Sequence, residues 1–309
     1  MDLDRNQEAL DTRDIREVLI NNANYRFAIS RVKSASAYRI FLFIVLGHDL
    51  YRFLLKKEVL FEYDSLTHLA EKLSDYYSYP LVKNKSSIKT ALKYLDDAAL
   101  IMSNSQQPTA EELKECELNN SKYLFLYINI EELLHWRPAK CEEEKLDIEM
   151  SKRVDEWRAR SFVRSDKRRT LFFDNYLQPV LLYVNSRLVN ASISLLGNQI
   201  MMYLILQLEE EHFEGCYEAR EVKFIYDTYD GFANALMPFI GCYDIPNSTI
   251  SDNLDALHNT YLINVPLSSS EKDKDKDCES FGNSRSCLII KLYFDEENQL
   301  ILSNEISEE

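Results

Sequence analysis

The sequence predicts a mainly helical protein with small β-sheets, of the α+β class, in which two similar domains are joined by a helical connector. The first observation behind this prediction is an internal repeat: the pattern of residues 86–101 returns in register at residues 248–263, 162 positions later. Overlooking an internal repeat leads to a wrong fold assignment, so we use this repeat to divide the chain into domains. Five apolar pairs align between the copies: Ile88 with Ile250, Leu92 with Leu254, Leu95 with Leu257, Leu100 with Leu262, and Ile101 with Ile263.

The spacing of these apolar residues is the second observation. Positions i, i+4 and i+7 lie on one face of a helix, which predicts a helix with one side turned to the core. The Leu-Ile pair that follows a short break predicts the start of a β-strand. Because both copies share this pattern, we expect the same local structure in both halves of the chain.

The repeated segment resembles a known superfamily. Residues 86–101, with Ser-Ser-Ile-Lys-Thr-Ala-Leu-Lys-Tyr-Leu and a later Leu-Ile, resemble the recognition helix and the start of the wing in winged helix-turn-helix proteins. Residues 65–73, Ser-Leu-Thr-His-Leu-Ala-Glu-Lys-Leu, resemble their second helix. The resemblance implies two winged-helix domains with small β-wings, and no single function. That superfamily usually has Gly before the final Leu-Ile; here Ala99 and Tyr261 stand there, so we expect a differently made turn.

The elements of the first half follow in order. Residues 1–34 are a predicted N-terminal helical extension whose apolar stripe caps the first domain or docks on a partner; the stripe consists of Ile15, Val18 and Leu19. Residues 35–138 are the first predicted winged-helix domain. Its helical part is predicted to consist of a helix at 35–58, a short strand at 61–63, a second helix that is N-capped by Ser65 and ends near Pro80, and the third helix at 86–98. Its wing is predicted to consist of a strand from 100, a polar insertion at 104–120 and a return strand at 123–128, followed by a closing helix at 130–136.

The second half begins with the connector, predicted to be helical over residues 139–190, with a basic stretch and then an apolar helix around 177–188. Residues 191–309 are the second predicted winged-helix domain, whose second helix region, 219–240, looks longer and more irregular than the first copy's. The charged, low-complexity segment 268–286 is a predicted flexible wing tip, because it has nothing to bury. Residues 288–294 are its return strand.

Composition limits the function. The chain is 46% hydrophobic and 12% aromatic, so it can bury sizeable cores. Its 36 Lys and Arg against 51 Asp and Glu give a net charge of −15. Phosphate repels such a chain over most of its surface, which argues against a dedicated nucleic-acid binder unless one face is locally basic.

The expected compartment follows from cysteines and targeting signals. Six cysteines are scattered without a CxxC pair, and the acidic, polar N-terminus does not look like a secretory signal. The richest apolar stretch, residues 38–55, is interrupted by charged residues and is too polar to cross a bilayer. We therefore expect a reduced, cytoplasmic protein that makes no membrane contact.

No enzyme signature is found. The sequence has no phosphate-binding glycine loop, no dinucleotide-binding glycine pattern and no H-E-x-x-H, and its five histidines lack ligand spacing. His48 is expected to have a core or capping role. The sequence thus predicts no catalytic residue, no metal and no cofactor.

The first predicted third helix is basic. Lys85, Lys89 and Lys93 recur at i+4 and share a face, which predicts contact with DNA in a major groove, and a solvated helix surface is the alternative. The predicted DNA-binding residues are Lys83, Lys85, Lys89 and Lys93, together with Arg164, Lys167, Arg168 and Arg169 of the connector. The connector's cations are equally compatible with neutralising acidic patches in a partner or in a second copy of the chain.

The second predicted third helix is acidic. It carries Asp252 and Asp255, and no Lys or Arg occurs from residue 244 to residue 263. Such a helix cannot approach phosphate without like-charge repulsion, which predicts a protein-interaction module. Phe232, Met237 and Phe239, in the irregular region before it, are the predicted apolar anchors for a partner.

Two functions remain. Tandem winged helices on an acidic chain resemble the kleisin-interacting subunits of SMC complexes, which implies a non-enzymatic adaptor with limited DNA contact, bound to a larger SMC or kleisin subunit or to itself. SMC-type systems also act in defence against plasmids and phages, and that role is compatible. The alternative is a sequence-specific DNA-binding protein, either a plasmid replication initiator or a transcription regulator. The acidic second module favours the adaptor.

Overall fold

The computed structural model describes residues 15–30, 32–48, 58–77, 85–103, 124–135, 171–213, 220–242, 245–265 and 287–306 of the 309-residue chain. The chain divides into two compact units, residues 1–173 and residues 174–309. Within the described ranges the protein is mostly helical with small antiparallel sheets, which confirms the α+β class. The predicted wing tip, 268–286, and the connector up to residue 170 lie outside the described residues.

The described elements of the first unit are five helices and three strands. In chain order they are α1 (Ile15–Ile29), α2 (Ala35–Gly47), β1 (Glu58–Tyr63), α3 (Leu66–Tyr77), α4 (Lys85–Asp97), β2 (Met102–Ser103), β3 (Leu124–Asn129) and α5 (Ile130–His135). The strands form an antiparallel sheet in the order β1-β3-β2. The helix predicted over residues 35–58 ends at Gly47, and the strand predicted at 61–63 begins at Glu58.

The second unit repeats this order. After a π-helical turn at Phe173–Leu177, its described elements are α6 (Gln178–Asn190), α7 (Leu195–Leu206), a 3-10 turn (Glu210–His212), β4 (Arg220–Tyr226), α8 (Tyr229–Ile240), α9 (Asn247–His258), β5 (Leu288–Phe294) and β6 (Leu300–Ile301). The sheet order is β4-β5-β6, and Asn264 bridges to Lys291 of β5. The irregular helix expected over 219–240 is therefore a strand followed by a helix.

The repeat extends from sequence to packing. All ten aligned apolar residues are buried, from Ile88 and Ile250 on α4 and α9 to the Leu-Ile pairs after them. The helix that precedes the first strand is capped alike in both units: Ser34 accepts from the amide of Ala37, and Ser194 from that of Gly197. These two helices, α2 and α7, are buried over nearly their whole length and form the centre of each core.

Helix α1 is covered on every side. Its described side chains from Ile15 to Phe27 are buried, although many are polar or charged. It packs against α2 and α5, and Arg26, only 2% exposed, donates to the carbonyl of Ala99 and approaches Glu132 at 4.0 Å. Burial lowers the pKa of Arg26 to about 10, so the guanidinium is still charged at neutral pH. The N-terminal helix is thus part of the core, and not a cap with a single apolar stripe.

The turns after α4 and α9 are made by residues in the left-handed region. Ala99 has a φ of 51° and Tyr261 a φ of 62°. After α4, the amide of Leu100 donates to the carbonyl of Leu95 at 3.0 Å, which closes the helix in the way a C-terminal glycine usually does. The expectation of a differently made turn is wrong, because both residues accept the backbone conformation that glycine favours.

Replacing Ala99 by glycine is expected to stabilise the first unit. A residue with a Cβ in the left-handed region costs about 1 kcal/mol, and glycine avoids this cost. Glycine also raises the entropy of the unfolded chain, which offsets part of the gain, so the expected net increase in the free energy of unfolding is about 0.5 kcal/mol. Urea unfolding of Ala99→Gly against the parent chain measures it. The control is Ala70→Gly within α3, where the helix should lose about 1 kcal/mol. Equal destabilisation by both changes would contradict the assigned turn.

Candidate nucleic-acid and protein interfaces

The exposed face of α4 carries the predicted lysines. Lys85, Lys89 and Lys93 are all exposed, because Ile88, Leu92 and Leu95 turn the opposite side of the helix to the core. In the part of the chain that the structure describes, none of the three ammonium groups forms an ion pair. This lysine face (Lys85, Lys89 and Lys93) therefore presents three positive charges at successive turns of one helix.

The neighbours of the lysine face are small, polar or aromatic. Thr90 turns its hydroxyl back to the carbonyl of Ser86 at 2.9 Å, so it does not project over the lysines. The carboxylate of Asp96 accepts from the hydroxyl of Ser103 at 2.9 Å, which ties that charge to the strand that follows. Tyr94 stands 39% exposed, which is unusual for so large a side chain in this unit. The exposed carboxylate on α4 itself is that of Asp97, in the last turn of the helix.

The other predicted DNA-binding residues fall outside the described residues. These are Lys83, Arg164, Lys167, Arg168 and Arg169. Their role in DNA contact stays a prediction.

The exposed side of α9 is acidic, and Asp255 stands at the position that corresponds to Lys93 by the 162-residue offset. Asp252 and Asp255 are exposed, while Ile250, Leu254 and Leu257 are buried. A third carboxylate lies at the start of the helix, where the amide of Asn247 donates to Asp230 at 2.5 Å. We call Asp230, Asp252 and Asp255 the acidic face; no ion pair neutralises them within the described ranges.

The three predicted apolar anchors belong to the core. Phe232, Met237 and Phe239 on α8 are 0%, 9% and 2% exposed. Phe232 packs edge-on against Tyr226 with ring centroids 4.9 Å apart, and Phe239 lies 5.4 Å from Tyr203. The expectation that the core does not need these side chains is wrong: α8 is a regular helix N-capped by Thr228, and its apolar side closes the second unit.

The two units differ sharply in charge. Residues 1–173 contain 28 Lys and Arg and 28 Asp and Glu, whereas residues 174–309 contain 8 Lys and Arg and 23 Asp and Glu, a net charge of 8 − 23 = −15. The net negative charge of the protein thus comes from the second unit, because the charges of the first unit balance. This uneven distribution of charge is present in the sequence, but it becomes evident only when the boundary between the two units is known.

Groups that could support chemistry are dispersed. No cluster of three or more His, Cys, Asp or Glu side chains suited to a metal occurs among the described residues. His48 follows the end of α2 and packs on Phe61 at 4.1 Å between ring centroids, and burial lowers its pKa. Cys242 is free and exposed, whereas Cys287 forms a disulfide, so the expectation of fully reduced thiols is wrong at Cys287.

Two further findings concern membranes and related proteins. Among the helices described, none is at once long enough and apolar enough to span a bilayer. No protein-family profile, no curated protein and no solved structure matches this chain. The surfaces of the two units are therefore the basis for a functional proposal.

Proposed function

We propose that the chain is a non-enzymatic adaptor of a DNA-associated assembly, built from two winged helices of which the first contacts DNA and the second contacts protein. The observation that carries this proposal is the opposite charge of two equivalent helices, α4 and α9. Equivalent helices on a repeated scaffold, with opposite surface charge, are suited to different partners.

Element order supports the winged-helix assignment. Each unit has a helix, a strand, two helices and then the return strands, and the first strand pairs with the long return strand in both: β1 with β3, and β4 with β5. The short β2 and the bridge at Asn264 pair with the other edge of that return strand. In winged helices the helix before the wing lies in the DNA major groove, and here that helix is α4.

Electrostatics supports the division of roles. Three exposed lysines on one helix supply the charge that phosphate contacts need. The second unit, with a net charge of −15 over residues 174–309, is repelled by the DNA backbone and attracted to basic protein surfaces.

The proposed assembly is of the SMC type, in which kleisin-interacting tandem winged-helix subunits are adaptors, and a role in defence against plasmids or phages is compatible with it. Such a chain would bind a larger coiled-coil ATPase or its kleisin. The alternative is a DNA-binding regulator or replication initiator, which the unpaired lysine face favours. The sequence dependence of DNA affinity distinguishes the two functions. A sequence-specific DNA-binding protein binds its own site about a thousandfold or more tightly than random DNA, whereas an adaptor binds both equally.

DNA binding by the lysine face gives the first functional test. We expect the parent chain to bind a random-sequence duplex weakly, and Lys85→Glu with Lys89→Glu to abolish that binding, by fluorescence anisotropy at low salt. The single change Lys89→Gln should reduce the slope of log affinity against log salt by about 1, because one phosphate contact is lost.

A charge-matched control separates local contact from overall repulsion. Lys33→Glu with Arg187→Glu alters the net charge equally at exposed positions outside α4 and should preserve most of the binding. If both double variants bind DNA as the parent does, α4 is not the DNA-contacting helix. If both lose binding equally, only the net charge matters and the proposed site is wrong.

A further inference from the structure

The two faces that the repeat places on equivalent helices are complementary to each other. The lysine face of α4 has three ammonium groups, and the acidic face of α9 and its neighbour has three carboxylates; all are exposed. Neither set is neutralised by an ion pair within the described residues. Each chain therefore carries both halves of one electrostatic contact, on two different units.

The two faces differ in length along their helices. Lys85 and Lys93 are eight positions apart, about 12 Å along the helix axis, and Asp252 and Asp255 are about 4.5 Å apart, at 1.5 Å per residue. Long lysine side chains bridge this difference when two helices pack side by side, because the ammonium group moves freely on a four-carbon stem.

Exposed tyrosines occur on α4 and in the turn after α9. Tyr94 stands on α4 next to Lys93, and Tyr261, 48% exposed, follows the end of α9. Tyr261 is held in the left-handed region, and its carbonyl accepts from the amide of Ser303 at 2.8 Å. Tyrosine is among the residues that contribute most at protein interfaces, and a lysine over its ring adds a cation–π contact. Surface ion pairs are individually weak, so these rings supply the apolar area that such a contact needs.

We propose that the lysine face of one copy docks on the acidic face of a second copy of this chain, in a head-to-tail contact. This inference rests on the protein-binding part of the proposed function and deepens it, by naming a second copy as the occupant of α9; it uses the same lysine face as the DNA part, so DNA and a second copy compete for α4. The charge division supports this choice, since the first unit is neutral and does not itself repel a second unit of net charge −15.

The symmetry of the contact has a measurable consequence. A head-to-tail contact leaves one lysine face and one acidic face free at the ends of every assembly, so growth does not stop at two copies unless a ring closes. We expect the average mass in sedimentation velocity to rise steadily from the 36.3 kDa monomer with protein concentration. Between about 0.05 M and 0.5 M salt the association should weaken by about tenfold, because screening shortens the reach of exposed charges.

Two complementary variants test the contact. The lysine-face variant carries Gln at positions 85, 89 and 93, and the acidic-face variant carries Asn at positions 230, 252 and 255, so that neither change creates a new charged face. Each alone should remain a monomer at every concentration, since each lacks one half of the contact. Mixed at equal amounts they should form a 1:1 dimer and nothing larger, because only one pair of compatible faces remains. Lys33→Glu with Arg187→Glu, and Glu296→Lys, are exposed charge controls that should assemble as the parent chain does.

The outcomes are distinct from those of the DNA test. Circular dichroism checks that each variant is folded, and the mixed sample keeps the test informative, because its dimer requires both variants to be native. A parent chain that is monomeric at all concentrations, or a closed dimer that survives both sets of changes, overturns the proposal. The acidic-face variant keeps its lysine face and should bind DNA at least as tightly as the parent does. A failure of self-association therefore leaves the DNA-binding proposal standing, and a parent chain that self-associates without binding DNA leaves the docking proposal standing.

Discussion

Replacing Arg26 by alanine is expected to destabilise the first unit by about 3 kcal/mol, from the loss of buried packing together with a hydrogen bond. The side chain is almost fully buried between helices and donates to the carbonyl of Ala99, at the left-handed turn between α4 and β2. It therefore joins the N-terminal helix to the point where the predicted DNA-contacting helix ends. Urea unfolding, followed by hydrogen exchange in α2 and α4, measures the change in that unit.

Arg26→Met separates packing from charge. Methionine keeps most of the buried stem but cannot donate, and it removes a guanidinium whose pKa burial lowers to about 10. Because that shift means that burial disfavours the charged form, we expect Arg26→Met to cost only about 1 kcal/mol, well below alanine. A loss under 1 kcal/mol for Arg26→Ala would contradict the role of α1 in the core.

Phe232→Ala is expected to destabilise the second unit by about 4 kcal/mol, as large-to-small changes at fully buried aromatic positions do. The ring is 0% exposed and contacts Tyr226 and Tyr203 at centroid distances of 4.9 Å and 6.1 Å. Hydrogen exchange in α7 and α8 reports the loss in the unit concerned.

The same variant separates a core residue from a partner anchor. A surface anchor would leave stability unchanged and reduce only binding, whereas a core residue reduces stability in the isolated chain. Tyr94→Ala is the control, because a ring 39% exposed on α4 should change stability by no more than about 0.5 kcal/mol. If Phe232→Ala behaves like Tyr94→Ala, the packing of α8 is wrong.

The repeated helix was predictable from sequence because its signal is strong and local. Ile88, Leu92 and Leu95 lie at helical spacing, are matched by residues 250, 254 and 257, and are all buried. The exposure of Lys85, Lys89 and Lys93 follows directly, since a helix that buries one side exposes the other. Local periodicity thus predicted both the helix and its charged face.

Three features were not predictable in the same way. Helix α1 has charged residues at positions that periodicity assigns to solvent, and only tertiary packing buries them. Residues 219–240 carry Pro238 and a mixed pattern, which concealed the boundary between β4 and α8. Phe232 and its neighbours were predicted to lie outside the core, because the sequence does not specify how many helices pack on α7.

The turn residues illustrate a different limit. Glycine is the usual signal for a left-handed backbone, so Ala99 and Tyr261 suggested another turn geometry. In the structure both adopt positive φ, because the buried Leu-Ile pair after each fixes the direction of the chain. Tertiary contacts outweigh a local preference of about 1 kcal/mol.

We propose that α4 and α9, which the repeat places at equivalent positions, have different partners and that only α4 contacts DNA. Hydrogen exchange of the full chain, with and without a short random-sequence duplex at low salt, measures this difference. We expect slower exchange in α4 and unchanged exchange in α9. Slower exchange in α9, or unchanged exchange in α4 at saturating DNA, would show that this assignment of partners is wrong.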